Sequence, residues 1–288
     1  MWTRVSPDEI SYNTVLSAQE SSWKAAKATL EALQSSSCEA SATSYNSLLS
    51  ACEKCSSWSE ALSVLSQMIG LSVALDAFSE SAGIATLNKA KRWEEALLRF
   101  GVADVGARSV VTFGAALTAC ERGRQWLSAL QLLTRMPATS LQGNVVTYSA
   151  ALAACADAVQ WHAACQLFWD MASASVEANT VVFGAATGAF AAADDWKLAI
   201  SMLSTMVKEA VRINTVVLLA VLDACASAGK TDTIIALSTE MADAGVTIDS
   251  ETCSAIVAAC ESRQPHRAAM LLDTAGKDGL QQLQSSGR

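Results

Sequence analysis

Cys52 and Cys55 stand in a C-x-x-C arrangement, the spacing that supplies half of a tetrahedral zinc site. The other half is missing. The chain has nine cysteines and two histidines, His162 and His266, and no second pair at metal-binding spacing. Neither histidine opens the His-x-Glu motif that a zinc deaminase needs beside its paired cysteines. No nucleophile–base constellation is present either. These residues therefore predict no enzyme, no metal, no cofactor and no small-molecule substrate. Cys52, Cys120, Cys155, Cys225 and Cys260 instead share one position of a repeating unit, as small core residues do. A second set is aromatic. Trp23, Trp58, Trp93, Trp126, Trp161 and Trp196 follow one another at 35, 35, 33, 35 and 35 residues. Exposed indoles at such intervals could stack on bases. A periodic aromatic on the apolar side of a helix is first a core residue, and the ladder is read as core.

The elements that carry these ladders follow from the period. A fixed interval near 35 residues marks a repeat array, in which each unit packs only on its neighbours. Alignment on the tryptophans gives an array over residues 9–284, with units 9–41, 42–76, 77–109, 110–144, 145–179, 180–214, 215–249 and 250–284. A lead-in, 1–8, and a polar tail, 285–288, flank it. Thr231 and His266 replace tryptophan in the last two units. Each unit reads as two helices. Tyr45, Leu49 and Cys52 recur at i, i+4, i+7, as do Phe113, Leu117, Cys120 and Tyr148, Leu152, Cys155, which is one apolar helix face. Trp58, Ala61, Leu62, Leu65 and Met68, and again Trp126, Ala129, Leu130, Leu133 and Met136, carry a second helix that begins near the tryptophan. Thr112 and Thr147 read as caps just before first helices. Two such helices cannot bury both faces alone. The expected fold is an all-α, right-handed superhelical α-solenoid of about eight helix-turn-helix repeats of ~35 residues.

Composition agrees. Hydrophobic residues make up 51% of the chain, with only three prolines and fourteen glycines, which argues against collagenous, disordered or β-rich classes. The net charge of −8 is uneven: residues 1–144 hold 12 basic and 13 acidic side chains, residues 145–288 hold 8 and 15. An acidic chain binds nucleic acid poorly unless it carries a local basic stripe, so a nucleic-acid site belongs in the first half. The longest apolar stretch, Val181 to Ala193, is too short to cross a bilayer, and no membrane role is expected. No secretory h-region follows Met1 and no transit segment is visible. The odd cysteine count suits a reducing compartment.

Thr43-Ser44-Tyr45-Asn46-Ser47-Leu48-Leu49, Val145-Val146-Thr147-Tyr148-Ser149, the Ala61-Leu62 … Met68 pattern and the Asp or Asn that closes five of the eight units resemble the pentatricopeptide repeat across nearly the whole chain. The rival tetratricopeptide array has a 34-residue period with tryptophan early in the first helix, whereas here tryptophan opens the second.

The resemblance implies binding of single-stranded RNA in a chloroplast or mitochondrion, at about one base per repeat. A residue early in the first helix and the last residue of the same repeat read the base edge, and a residue three before the helix reader sandwiches base faces. Carried over, Asn46 with Asp76 resembles a uracil reader, Ser149 with Asn179 an adenine reader, and Asn13 with Ser41 a cytosine-like pair. Ser81 with Ser109 has no clear base. Gly114 with Asn144 and Gly184 with Asn214 lack the helix-borne polar group. Leu219 with Asp249 and Ser254 with Gln284 depart from the pattern. Val111, Val146, Val181 and Val216 are the sandwiching residues, with Ile10 also apolar, while Thr43, Phe78 and Glu251 deviate. The resemblance also implies phosphate contact by Lys54, Lys89 and Arg122. In later repeats that place holds Asp157, Ala192, Ser227 and Ser262. The expected function is a non-catalytic RNA-binding repeat protein of organellar RNA processing, stability or translation. The alternative is a protein-interaction scaffold whose acidic half, residues 145–288, docks a partner.

Overall fold

The chain is seen in a computed structural model that describes residues 9–36, 40–102, 108–193, 195–209, 211–230, 232–234 and 236–237. Cys260, His266, Thr231, Asp249, Glu251, Ser254 and Gln284 lie outside the described residues, as do all of unit 250–284, the lead-in and the tail.

The fold is an all-α solenoid. The first helices are α1 (Glu9–Ala18), α3 (Ala42–Lys54), α5 (Ala77–Lys89), α7 (Val110–Arg122), α9 (Val145–Asp157), α11 (Thr180–Ala192) and α13 (Thr215–Ser227). The second helices are α2 (Trp23–Ser35), α4 (Trp58–Gly70), α6 (Trp93–Val102), α8 (Trp126–Arg135), α10 (Trp161–Ser173) and α12 (Trp196–Lys208). Tryptophan is thus the first residue of each second helix. No described helix is long and apolar enough to cross a membrane.

The chain divides into two compact units, Met1–Ala154 and Cys155–Arg288. In the first, each first helix packs on its own second helix and on the next first helix: α1 on α3, α3 on α5, α5 on α7. In the second, α11 packs in the same way on α12 and α13. The first unit's core is continuous across repeats, running from Leu16 through Leu30, Tyr45, Leu49 and Leu65 to Ala82. Each large apolar side chain buried there contributes roughly 1.5–3 kcal/mol.

Five of the first helices end in the same way. Ser57 N–H reaches the Cys52 carbonyl and Ser56 N–H reaches that of Glu53, and the pair recurs at Leu87/Asn88, Cys120/Glu121, Cys155/Ala156 and Cys225/Ala226. These are the two bonds of a Schellman motif, whose C′ residue is left-handed. That residue is Ser56, Lys91, Arg124, Val159 or Gly229, with φ between 52° and 65°. Only Gly229 takes this conformation without Cβ strain. Val159 is a β-branched, half-exposed residue in the same place. Left-handed backbone costs an L-residue roughly 1–2 kcal/mol, partly offset by glycine's larger unfolded-state entropy. Val159→Gly is therefore expected to stabilise the chain by roughly 1 kcal/mol, read as a higher urea midpoint. A lowered midpoint would show that Val159 makes packing worth more than its strain.

Candidate nucleic-acid interface

The second residue of each first helix turns to solvent although it is apolar. In the first unit Ile10, Phe78, Val111 and Val146 are exposed, in the second Val181 and Val216, all between 49% and 71%. Burial of the faces beside them makes this exposure informative: the third residues Ser79, Thr112 and Thr147, and Val182 and Val217, are buried. Thr43 holds this place in α3 and is also exposed.

One turn back, the residue that closes each repeat is the N-cap of the following first helix. Asn144 Oδ1 accepts from Val146 and Thr147 N–H, Asn179 Oδ1 from Val181 and Val182 N–H, and Asn214 Oδ1 from Val217 N–H. Asp76 caps Ser79 N–H and Ser109 caps Thr112 N–H. Ser41 is an N-cap without a side-chain cap bond, at 3.4 Å from the Ser44 hydroxyl. This corrects the reading of Thr112 and Thr147 as caps. Both sit inside their helices, where their hydroxyls accept from Ser109 and Asn144 N–H and complete capping boxes. A cap takes only one acceptor atom, so each asparagine keeps its Nδ2 for another partner.

The helix-borne residues differ from repeat to repeat. Asn46 donates through Nδ2 to Asp76 Oδ2 at 2.9 Å. Its Oδ1 is buried and accepts nothing among the described residues. Partial burial pushes the Asp76 carboxyl up, but the hydrogen bonds from Ser79 and Asn46 outweigh it and hold the group below its usual value. Asn13 makes a different pair: it accepts from the Ser44 hydroxyl at 2.7 Å and donates weakly to Glu9. The Ser81 and Ser149 hydroxyls turn back to the Phe78 and Val146 carbonyls of their own helices. Gly114 is buried, yet a Cβ there would meet nothing within 4 Å, and at Gly184 only a Val217 methyl at 3.9 Å. Both glycines leave room beside an apolar residue and an amide.

The three cations expected on phosphate hold partners in the preceding repeat. Lys54 pairs with Glu20, and Lys89 with the Glu53 carboxylate at 2.9 Å. Arg122 donates to the Asn88 carbonyl at 2.6 Å. These contacts stitch successive first-helix ends together, with positive charge favourable at helix C-termini. The two lysines keep about half of their surface exposed, 57% and 43%. Lys91 and Arg124 escaped the sequence reading. Both are exposed, one residue past the helix cap, and neither forms an ion pair among the described residues. Their signal was positional: each stands two residues before a ladder tryptophan.

The tryptophans themselves require a correction. All six are half-buried, at the rim of the core and not within it, Trp23 packing against the first unit's core. Three of them, Trp58, Trp93 and Trp196, meet residues of the next repeat. The Arg92 guanidinium lies 3.6 Å from the Trp58 ring centre, Lys230 lies 5.4 Å from that of Trp196, and Gly123 approaches Trp93 so closely that a Cβ would stand 2.5 Å from the indole. An indole offers a polarisable face to cations, which plain core would not use. Cys52, Cys120, Cys155 and Cys225 are buried. Burial pushes the thiols of Cys52 and Cys155 up to about 11 and that of Cys120 to about 12. Cys55 is exposed and donates to the Ser21 carbonyl. The C-x-x-C pair is therefore split between core and surface.

The PPR repeat model matches residues 43–73. No curated protein matches the chain by sequence. Among solved structures, the chain is similar to the pentatricopeptide repeat protein PPR10 in complex with an 18-nt psaJ RNA element, at TM-score 0.75 and 17% identity, over 96% of this chain and 41% of that one. It is similar to PPR10 from maize at TM-score 0.62 and 17% identity, over 96% and 44%. It also resembles nuclear proteinaceous RNase P 2 from A. thaliana, at TM-score 0.53 and 15% identity, over 62% and 40%. The chain thus spans about two fifths of the length of these relatives. The family's own model recognises α3 and α4, the same two-helix unit recurs on every ladder tryptophan, and the resulting fold is similar to that of PPR10: residues 43–73 are a pentatricopeptide repeat in a chain with the fold of a pentatricopeptide repeat array.

Proposed function

We propose that the chain binds single-stranded RNA along its first helices, at about one nucleotide per repeat, and holds it without cutting it. The observation that carries this reading is the register of exposed apolar side chains, with Val111 and Val146 in one unit and Val181 and Val216 in the other. Exposing a valine at the start of four repeats forgoes roughly 1.5–3 kcal/mol of burial apiece. A flat, unpaired base laid between successive valines would recover it. The capping residues beside them then face the base edge, Asn46 with Asp76 and Ser149 with Asn179 as the most specific pairs. The relatives with this fold include a protein solved with RNA. From the resemblance of its repeats alone, we place its action in a chloroplast or mitochondrion, in RNA processing, stability or translation.

The test is binding of a labelled, randomised single-stranded RNA pool by the full chain and by Val111→Ser/Val146→Ser. Serine at these exposed sites leaves the fold intact. Loss of two stacking contacts is expected to weaken binding on the order of tenfold or more. Equal affinity of the two proteins would remove the valine register from the RNA path. Absence of binding by the parent chain at low salt would end the RNA reading and turn attention to a protein partner of residues 145–288.

A further inference from the structure

We propose that Lys91 and Arg124, two residues that the repeat pattern does not mark as RNA ligands, are the principal phosphate contacts of this chain. The inference rests on the RNA reading above and concerns only the first unit. Lys54, Lys89 and Arg122 are occupied in joining repeats, through Glu20, Glu53 and the Asn88 carbonyl. Lys91 and Arg124 are not. Each is exposed, carries no ion pair among the described residues, and stands at the left-handed C′ position, with φ 62° and 52°. The left-handed turn also holds Ser56 and Val159 and belongs to the fold; what sets Lys91 and Arg124 apart is an exposed cationic side chain with no ion pair among the described residues. Glycine would fit both positions better. The two cations nevertheless occur in consecutive repeats, at one register, at the ends of α5 and α7, which pack side by side.

That register is what a strand read one base per repeat requires: one positive charge for each nucleotide. The helix-borne readers precede the first-helix ends by eight residues, about 12 Å of helical rise. A nucleotide spans that step from base edge to phosphate, and a long cationic side chain closes what remains. The nearby carboxylates do not cancel the pair. Glu20 and Glu53 are held by Lys54 and Lys89, and Glu95 is held by Arg92. Glu94 and Glu121 are also near in sequence, against the three cations outside those ion pairs, Lys91, Arg122 and Arg124.

Glycine gives a clean test, because it removes charge without disturbing the turn. The full chain, Lys91→Gly/Arg124→Gly, and the charge-neutral control Ser56→Gly/Val159→Gly are titrated with a fluorescein-labelled single-stranded RNA pool over a range of salt. The proposal expects the first variant to bind on the order of tenfold more weakly at low salt. Its plot of log affinity against log salt should flatten by about 1.4, from about 0.7 per single-strand phosphate contact. Its melting temperature should not fall, so unfolding cannot explain the loss, and the control should bind as the parent does. Unchanged affinity and slope in Lys91→Gly/Arg124→Gly, with the parent still binding, would overturn the proposal and leave the RNA reading standing. No binding by the parent chain would overturn both.

Discussion

Replacing Arg99 by leucine is expected to destabilise the chain by about 3–5 kcal/mol, because it leaves a carboxylate buried without its partner. The pair belongs to repeat 77–109 alone. One residue before the helix-borne reader of four repeats stands a large aromatic: Tyr45, Phe113 and Phe183, which are buried, and Tyr148, which is partly buried. Opposite, six residues after the tryptophan, stand Val64, Leu132, Leu167 and Met202. Repeat 77–109 puts Glu80 and Arg99 at these two places. The Glu80 side chain is 2% exposed and that of Arg99 16%. They meet through two parallel bonds, Arg99 Nε to Glu80 Oε2 at 2.9 Å and Nη2 to Oε1 at 2.7 Å. A bidentate guanidinium–carboxylate pair of this kind satisfies both groups, yet a well-packed apolar pair of similar volume does as well or better. Glu80→Phe/Arg99→Leu, which copies the chemistry of the neighbouring repeats, should therefore match the parent or exceed it by about 1–4 kcal/mol. Denaturant unfolding of the three proteins checks both expectations. If Arg99→Leu cost under about 1 kcal/mol, or the double variant were less stable than the single, the pair would not be a core contact of the kind described.

The fold was legible because it is periodic. Any one helix of this chain is an unremarkable apolar stretch, but tryptophan at the head of each second helix and cysteine near the end of most first helices fix the unit, its phase and its class. What the period could not convey is what lies between repeats. Lys54, Lys89 and Arg122 share a register, yet their partners sit 34 to 36 residues earlier in chain order, and a pattern read within one unit does not reach them. The same blindness put the tryptophans in the core. Their spacing says only that one environment recurs, and a joint between units recurs as faithfully as a core does. Glu80 and Arg99 were invisible for the opposite reason. They break the pattern, and a lone charge in sequence does not announce that its counter-ion lies across the hairpin.

The candidate site was legible as residue types and illegible as geometry. Caps and base readers looked like rival explanations of one asparagine or aspartate, since every helical array repeats its caps. In space the two roles are compatible. A cap engages one oxygen of the side chain, and the repeat-closing residue is left with a second polar atom, Nδ2 of asparagine or Oδ2 of aspartate. The last residue of a repeat is thus held rigid by one function while it is available for the other, which is how a reader on a turn gains the precision of one on a helix.

Exchanging those second atoms should exchange the base that is read. In the parent chain Asp76 spends Oδ1 on Ser79 N–H, while its Oδ2 accepts from Asn46 Nδ2 and keeps a second lone pair as an acceptor for a base. An acceptor there suits the ring N–H on the Watson–Crick edge of uracil. Asn46→Ser/Asp76→Asn reproduces the Ser149 and Asn179 combination. The introduced asparagine would still cap α5 through Oδ1, since asparagine and aspartate cap about equally well, and would now offer Nδ2, a donor suited to the ring acceptor of adenine. Stability should hold within about 0.5 kcal/mol, while discrimination between the two bases at this one position inverts by about 1–3 kcal/mol. Selection from a randomised RNA pool gives the readout. The parent should enrich a uracil three positions from an adenine, corresponding to repeats 42–76 and 145–179, and the variant should enrich adenine at both. A folded variant that enriched the same sequences as the parent would show that Asn46 and Asp76 serve the helix alone.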